Sequence, residues 1–421
     1  MTTSTRMDDR LIDVPRGLAN VVVTETELSD VRGHEGFYHY RQYPATELAA
    51  TRSVEEVWSL LLDGALPDAA TAEGFRGRIG RERSLSPTLS AILPSLVQTT
   101  SRGTRPEPLA ALRAALAIEG AERGLRPLYD LTEAERRDDL VALAASVPTM
   151  IAALSRLAQG LEPIEPDPSL GYVADYLRMI HGSEARPEIV DALSVYLVAA
   201  IDHGFNASTF TARVIASTGA DAAACLVGGL ASLSGPLHGG APSRALDTLD
   251  AIGTVDRIDE WIVARLEAGE RIMGFGHPVY RTEDPRSALL KRVAQGFGGS
   301  RVDFAIAVEE RVPVLLEHYK PGRALHTNLE WYAAIVMELC GLDRELFTPT
   351  FAAARVLGWT ANVLEQARDP KIIRPAARYV GPEPVRPGST RSAATAATAA
   401  TAATAGTAGT TRPSGSAGST R

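Results

Sequence analysis

From residue 53 to residue 367 the apolar positions of this chain recur at spacings of three and four. That period belongs to amphipathic helices and leaves little room for a sheet-based architecture. Ser53 and Glu56 have capping-box spacing, Val54, Val57 and Leu61 share one face, and Gly64 stops the run. Further helices are expected over 89–99, 109–121, 132–145, 149–158 and 171–179, with Thr132 and Glu135 forming a second capping box. A helix over 187–201 opens on Pro187 and delivers Asp202 and His203 at its C-terminal end. The stretches 210–218 and 222–233 carry small and apolar residues on nearly every face, as buried helices do. Beyond His238 the helices at 245–253, 256–268 and 287–297 are shorter and more charged, and those at 329–340 and 349–367 close the pattern.

Sheet is expected only near the start. Val21, Val22, Val23 and Thr24 form one strand-like run and residues 36–40 another, with a polar turn at 29–33 between them, a short hairpin. Residues 1–18 look like a flexible lead-in. The change in helix character points to a large helical domain over 19–241 and 337–387, with a small domain over 242–336 inserted in it. Residues 388–421 are built from Ala, Thr, Gly and Ser with a few Arg and Pro. With no large apolar residue this tail cannot bury a core, so it is expected to be disordered and to have no catalytic role.

The chain has 421 residues, 45% of them hydrophobic, enough for a core that needs no metal or disulfide staple. Net charge is −8 with acids and bases interspersed, so bulk charge gives nucleic-acid binding no support. An anionic small substrate would instead need local arginines. No window approaches ~18 uninterrupted apolar residues, which argues against a membrane partner. The first ten residues lack an apolar core and include Asp8 and Asp9, which argues against secretory or organellar targeting. Cys225 and Cys340 lie in apolar helical runs and read as buried reduced thiols, consistent with a cytoplasmic setting.

Four phrases between residues 202 and 286 carry chemistry: Asp202-His203-Gly204-Phe205-Asn206, Gly235-Pro236-Leu237-His238-Gly239-Gly240, Gly274-Phe275-Gly276-His277 and Asp284-Pro285-Arg286. A lone histidine in a turn is ordinarily one that bonds backbone. Repeated pairing with glycine changes that balance, because backbone without side chains lets a small ligand approach both N–H groups and the ring. No histidine pair has i,i+4 spacing and there is no Cys-x-x-Cys, so zinc is weakly supported. Gly274-Phe-Gly lacks the third glycine and the preceding strand of a dinucleotide fingerprint, and no Gly-x-Ser-x-Gly elbow occurs. Arg355 sits among Ala, Val, Leu and Gly in a helical run, where a guanidinium needs a carboxylate or phosphate partner. Glu330, two residues after a plausible N-cap at Asn328, reads by itself as a first-turn acid favoured by the helix dipole.

Taken together, these phrases resemble the citrate synthase family over about residues 18–385, in family order and at family-like spacing. The resemblance implies an all-α, multi-helical fold with a large and a small domain closing over substrate, and an obligate homodimer with a shared active site. It implies that His238 hydrogen-bonds the acyl-CoA thioester oxygen as it becomes an enolate, and that His277 polarises the ketone of oxaloacetate. His203, Arg286 and Arg355 match positions that hold oxaloacetate. Arg374 matches an arginine lent by the neighbouring subunit, and Met273, Gly274, Phe275 and Gly276 lie where the family places coenzyme A. No metal or further cofactor is implied, since the coenzyme A thioester is itself the substrate.

Two positions depart from the family pattern. The usual Asn-Val-Asp-Phe-Tyr reads Asn328-Leu329-Glu330-Trp331-Tyr332, which makes Glu330 the catalytic base with one extra methylene, ~1.5 Å of reach. Ala200 stands where many relatives carry a further histidine. The expected reaction is condensation of acetyl-CoA with oxaloacetate to citrate. Condensation of propionyl-CoA to 2-methylcitrate is the alternative, and a carboxylate- and CoA-binding relative with weak catalysis is the reading from another class.

Overall fold

The structure is a computed structural model that describes residues 11–382 and 384, apart from 240, 271, 277, 278, 281, 320, 323 and 324 and the side chains of 241–244. Residues Val14–Ile373 form one compact unit, and the described residues through Asp13 and from Arg374 onward belong to a second. The expected lead-in 1–18 and tail 388–421 fall wholly or partly outside the described residues.

Helices dominate, as the spacing predicts. The first are α1 Ala45–Thr51, α2 Val54–Asp63, α3 Ala69–Glu82, α4 Pro87–Leu96, α5 Pro108–Glu122, α6 Glu133–Ala145, α7 Val147–Ala158, α8 Tyr172–His181 and α9 Pro187–Ala200. They are followed by α10 Ala207–Ala216, α11 Ala222–Leu233, α12 Ala241–Ile252, α13 Ile258–Glu267, α14 Pro285–Phe297, α15 Ser300–Tyr319, α16 Leu329–Leu339 and α17 Phe347–Gln366. Both capping boxes form, Ser53 with Glu56 and Thr132 with Glu135. Three helices, α1, α3 and α15, were not anticipated. Pro313 interrupts the pattern of α15, yet Val302, Ala305, Val308, Val312 and Leu316 make a continuous buried stripe. Others begin earlier than the apolar spacing indicates, because the caps lie upstream: Asn206 caps α10 and Asp284 caps α14.

The expected hairpin is corrected in register and extent. The strands are β1 Ser29–Arg32, β2 Phe37–Tyr40 and β3 Tyr43–Pro44, in the order β1-β2-β3, with Ser29 opposite Tyr40 and Arg32 opposite Phe37. Val21–Thr24 does not pair. A β-branched run is only a propensity, and at Val22, 85% exposed, it would bury nothing. The sheet instead uses Tyr38 and Tyr40, both buried, to reach the end of α9. Tyr38 Oη donates to the Ala199 carbonyl (3.2 Å), and Tyr40 Oη lies 3.0 Å from the Val198 carbonyl and 2.9 Å from that of Asp202. These carbonyls lie at or just past the C-terminal end of α9, where intrahelical partners run out, so the small sheet seals α9 and fixes the exit that carries Asp202 and His203.

At the centre lies α17, buried along nearly its whole length and packed by α2, α6, α7, α9, α10 and α11. Two of its polar groups meet partners from other helices: Trp58 Nε1 donates to Thr360 Oγ1 (2.9 Å), and Tyr172 Oη to the Ala353 carbonyl (2.9 Å). Gly358 explains how closely α17 approaches the site, since a Cβ there would stand 2.2 Å from the Ile201 carbonyl. Among the described residues only 133–158 is long and apolar enough to cross a membrane, and 78% of its most apolar window is buried, as in a core helix pair.

Candidate active site

The chain leaves α9 at Asp202 and His203, both buried. Asp202 accepts from Asn362 Nδ2 on α17 (3.2 Å) and from Ser29 Oγ on β1, which ties its carboxylate to the core and the sheet. Burial pushes its pKa upward, opposed by Arg355. His203 points the other way. Its Nε2 lies 3.0 Å from Tyr280 Oη, and its ring leans on Tyr38 and Tyr280 at centroid distances of 5.6 and 5.5 Å.

Arg286 stands beside the same aromatic pair, its Cζ 5.9 Å from the Tyr38 ring and 5.7 Å from that of Tyr280. Nε and Nη2 grip Asp284 at 3.0 and 2.8 Å. Burial works against the guanidinium's charge, yet Asp284 raises its pKa above the ordinary arginine value. Asp284 also accepts from Leu329 N at 3.1 Å, so the residue that orients Arg286 also holds the first turn of α16.

That turn presents Glu330. Asn328 caps the helix, accepting from Glu330 N at 3.2 Å. Met273, Gly274, Phe275 and Gly276 are stitched to the same place. Asn328 N donates to the Gly274 carbonyl (2.9 Å), Gly276 N to that of His326 (2.8 Å), and Asn328 Nδ2 to that of Gly276 (3.1 Å). Phe275 pairs with Thr327 and stacks on Trp331 at 5.1 Å. Gly274, at φ +88°, lies so close to Trp331 that a Cβ would come within 2.6 Å of the indole. Glu330 keeps some exposure toward the cleft, yet protein crowds it, and burial pushes its carboxyl above the usual carboxylate range against the pull of Arg286. No other described residue hydrogen-bonds its carboxylate, which senses its own backbone N–H.

His238 sits in the turn after α11, its N–H bonded to the Gly235 carbonyl (2.9 Å) and its Nε2 2.8 Å from Ser208 Oγ. Burial, with a smaller push from Arg355, lowers its pKa to about 4, so the ring is neutral at pH 7. The single Ser208 hydroxyl proton can go to His238 or to Asn206 Oδ1, 2.8 Å away. When it goes to His238, the ring's own proton resides on Nδ1 and is free to be donated.

Arg355 lies one face inward on α17 and is 4% exposed. Its Cζ is 5.0 Å from the Phe351 ring, but Nε and Nη1 are buried without a hydrogen-bond partner among the described residues. Burial lowers its pKa, with Asp202 opposing. Electrostatics link it to Arg286, to Tyr40 and to Tyr196, a buried α9 residue whose phenol also senses Glu330.

The compact unit thus gathers His203, Arg286, Glu330, Arg355 and the 273–276 loop, with His238 close enough for Arg355 to act on its charge. His277 lies outside the described residues. Arg374 is exposed and belongs to the second unit. Tyr280, Asp284, Ser208, Asn362 and Tyr196 were not anticipated. Ser208, two residues past the Asn206 cap, and Asp284, two before Arg286, were within reach of the phrases quoted above. Asn362 and Tyr196 reach the site only through packing. Among the described residues no group of three or more His, Cys, Asp or Glu could hold a metal ion.

Comparison with known proteins agrees with the helical fold. The family described as citrate synthase, C-terminal domain, matches residues 17–376. The chain is 34% identical to the citrate synthase of Deinococcus radiodurans over 374 residues, covering 88% of this chain and 96% of that protein. It is 34% identical to citrate synthase 2 of Bacillus subtilis over 373 residues, 87% and 96% of the two chains. The crystal structure of citrate synthase from Thermotoga maritima superposes with a TM-score of 0.77 at 34% identity, over 88% of this chain and 97% of that one. A ternary complex of the Thermoplasma acidophilum citrate synthase with carboxymethyl coenzyme A and oxaloacetate gives 0.80 at 26% identity, over 89% and 98%. The chain belongs to the citrate synthase family of acyltransferase enzymes.

Proposed function

We propose that this enzyme condenses an acyl-CoA thioester, acetyl-CoA first, with oxaloacetate, and hydrolyses the product thioester to citrate and free coenzyme A. The observation that carries the reading is Arg355: a buried guanidinium with two N–H groups unmatched, on the helix that faces His203 and Asp202. Leaving such donors unmade costs about 1–3 kcal/mol, and a dicarboxylate in the cleft would satisfy them. His203 and Arg286 supply further grips, and His277 is assigned by resemblance to the ketone oxygen.

Glu330 then removes a proton from the carbon α to the thioester. Its raised pKa makes it a stronger base than an ordinary carboxylate once ionised. The electrons move onto the thioester oxygen, where His238, neutral and donating from Nδ1, stabilises the enolate without adding a charge. The enolate carbon attacks the ketone carbon of oxaloacetate, whose oxygen takes up a proton from His277. Water next cleaves the thioester and releases the thiol. The 273–276 loop, held against α16, is the proposed seat of coenzyme A. Arg374 is proposed to serve a second copy of the chain in a homodimer, and its exposure suits that role. The buried free cysteines, whose thiols burial pushes up to about 12, suit a cytoplasmic setting.

Thiol release from acetyl-CoA and from propionyl-CoA, each with oxaloacetate, tests the reading. Faster release from acetyl-CoA is expected, and the reverse preference would assign 2-methylcitrate formation. Binding of oxaloacetate without thiol release from either donor would leave only a carboxylate-binding relative.

A further inference from the structure

The side chain of Glu309, on α15, joins three segments that the proposed chemistry needs, and it touches no proposed substrate group. One oxygen accepts from Thr327 Oγ1 at 2.9 Å, and the other accepts from Tyr332 Oη and from Lys291 Nζ, the latter at 2.6 Å. Thr327 in turn accepts from Ser287 Oγ at 2.9 Å. Tyr332 follows Glu330 by two positions on α16, Ser287 is the residue after Arg286 on α14, and Thr327 is the partner of Phe275 in the 273–276 loop.

We propose that Glu309 is a positioning residue for the reaction: its carboxylate sets Glu330, Arg286 and the acyl-CoA loop relative to one another. The inference rests on the condensation reading above.

The direction of the hydrogen bonds supports it. Ser287 gives its proton to Thr327, Thr327 gives its own to Glu309, and Tyr332 and Lys291 also point their protons inward, so an acceptor-only group must stand at the centre. An amide there would turn its NH2 either toward Thr327 or toward Tyr332 and Lys291, and the donors on that side would lose their acceptor. Trp331 Nε1 donates to the Ala305 carbonyl of α15 at 3.3 Å, so the same helix holds the α16 turn on a second side. The other ion pairs of α15, Arg311 with Asp259 and Arg301 with Asp250 and Glu338, lie nearer the solvent, and Arg301 reaches α16 only at its far end.

The test uses Glu309→Gln and Tyr332→Phe in the full chain, measuring kcat, KM for both substrates, oxaloacetate affinity and thermal melting. Displacing a reacting group by about 1 Å costs up to ~100-fold in rate, so Glu309→Gln is expected to lower kcat at least ~10-fold. Oxaloacetate affinity should change far less than kcat, since Arg355 and His203 lie outside the network and Arg286 keeps its grip on Asp284, and a smaller kcat loss is expected in Tyr332→Phe. The double variant should lose little beyond Glu309→Gln, because both changes break one joint. A purely structural Glu309 would lower the melting temperature while the folded enzyme kept its kcat, and that result overturns the proposal. If Glu309→Gln does not fold, Tyr332→Phe decides alone, and an unchanged kcat there is refuting. Failure of the parent enzyme to turn over either thioester sinks the condensation reading and this inference with it, whereas turnover retained in both variants sinks the inference only.

Discussion

By the family resemblance Glu330 stands where an aspartate is usual, which makes Glu330→Asp the most informative substitution in the site. Shortening the side chain withdraws the carboxylate by one carbon–carbon bond, ~1.5 Å, unless the backbone follows. The structure gives the backbone little freedom to do so. Leu329 N is bound to Asp284 at 3.1 Å, Glu330 N to Asn328 at 3.2 Å, and Trp331 Nε1 to Ala305 at 3.3 Å. Gly274 lies against the Trp331 indole with no room even for a methyl group. With α16 pinned on three sides, the deficit stays in the side chain. Misplacement on that scale costs on the order of 100-fold, about 2.7 kcal/mol of transition-state stabilisation. The measurement is kcat for thiol release from acetyl-CoA with saturating oxaloacetate, alongside deuterium exchange at the acetyl methyl group. The expected outcome is a loss of about two orders of magnitude in both, with oxaloacetate affinity unchanged. A Glu330→Asp enzyme as fast as the parent would show that α16 adjusts freely, and the reasoning about its anchoring would be wrong.

Glu330→Gln should abolish proton abstraction and also change the pH dependence of stability. Because Glu330 has a raised pKa in the folded state, its contribution is fully present below the unfolded carboxylate value and is lost as pH rises through the folded one. The variant should therefore be more resistant to urea than the parent at neutral pH and show no such advantage below that window. Arg355→Met removes buried donors that lack partners, so the unliganded protein is expected to gain about 1–3 kcal/mol while the melting shift induced by oxaloacetate disappears. A retained oxaloacetate shift would refute the assignment of Arg355 as a substrate grip. Ser208→Ala frees His238 to adopt either tautomer, and kcat should fall roughly 10-fold or more with little change in oxaloacetate affinity. With its pKa pushed down to about 4, the His238 ring followed by NMR should show no titration between pH 6 and 7, and such a titration would contradict the neutral-donor role.

Most helices were legible because their information is local. A capping residue, a three-four spacing and a terminal glycine lie within one or two turns of each other, and Ser53, Glu56 and Gly64 bounded α2 correctly from these signals alone. The misses have the same origin. Pro313 masked α15, whose helix is held by a stripe packed on its neighbours. Val21–Thr24 looked like a strand because propensity records what a segment could do and says nothing of a partner.

The sequence by itself determined the helical class and the Gly–His phrases. It also supplied, through resemblance, the residues to place in the cleft, because each of these is carried by adjacent or regularly spaced positions. Tertiary structure alone decided what those residues face. The central α17 leaves Arg355 buried with unmatched donors, Asp284 couples Arg286 to the turn that presents Glu330, and Glu309 gathers three segments in one carboxylate. Contacts such as Glu309–Thr327 and Asp284–Leu329 join residues 18 and 45 positions apart, and burial and pairing of charge arise only when the intervening helices have packed.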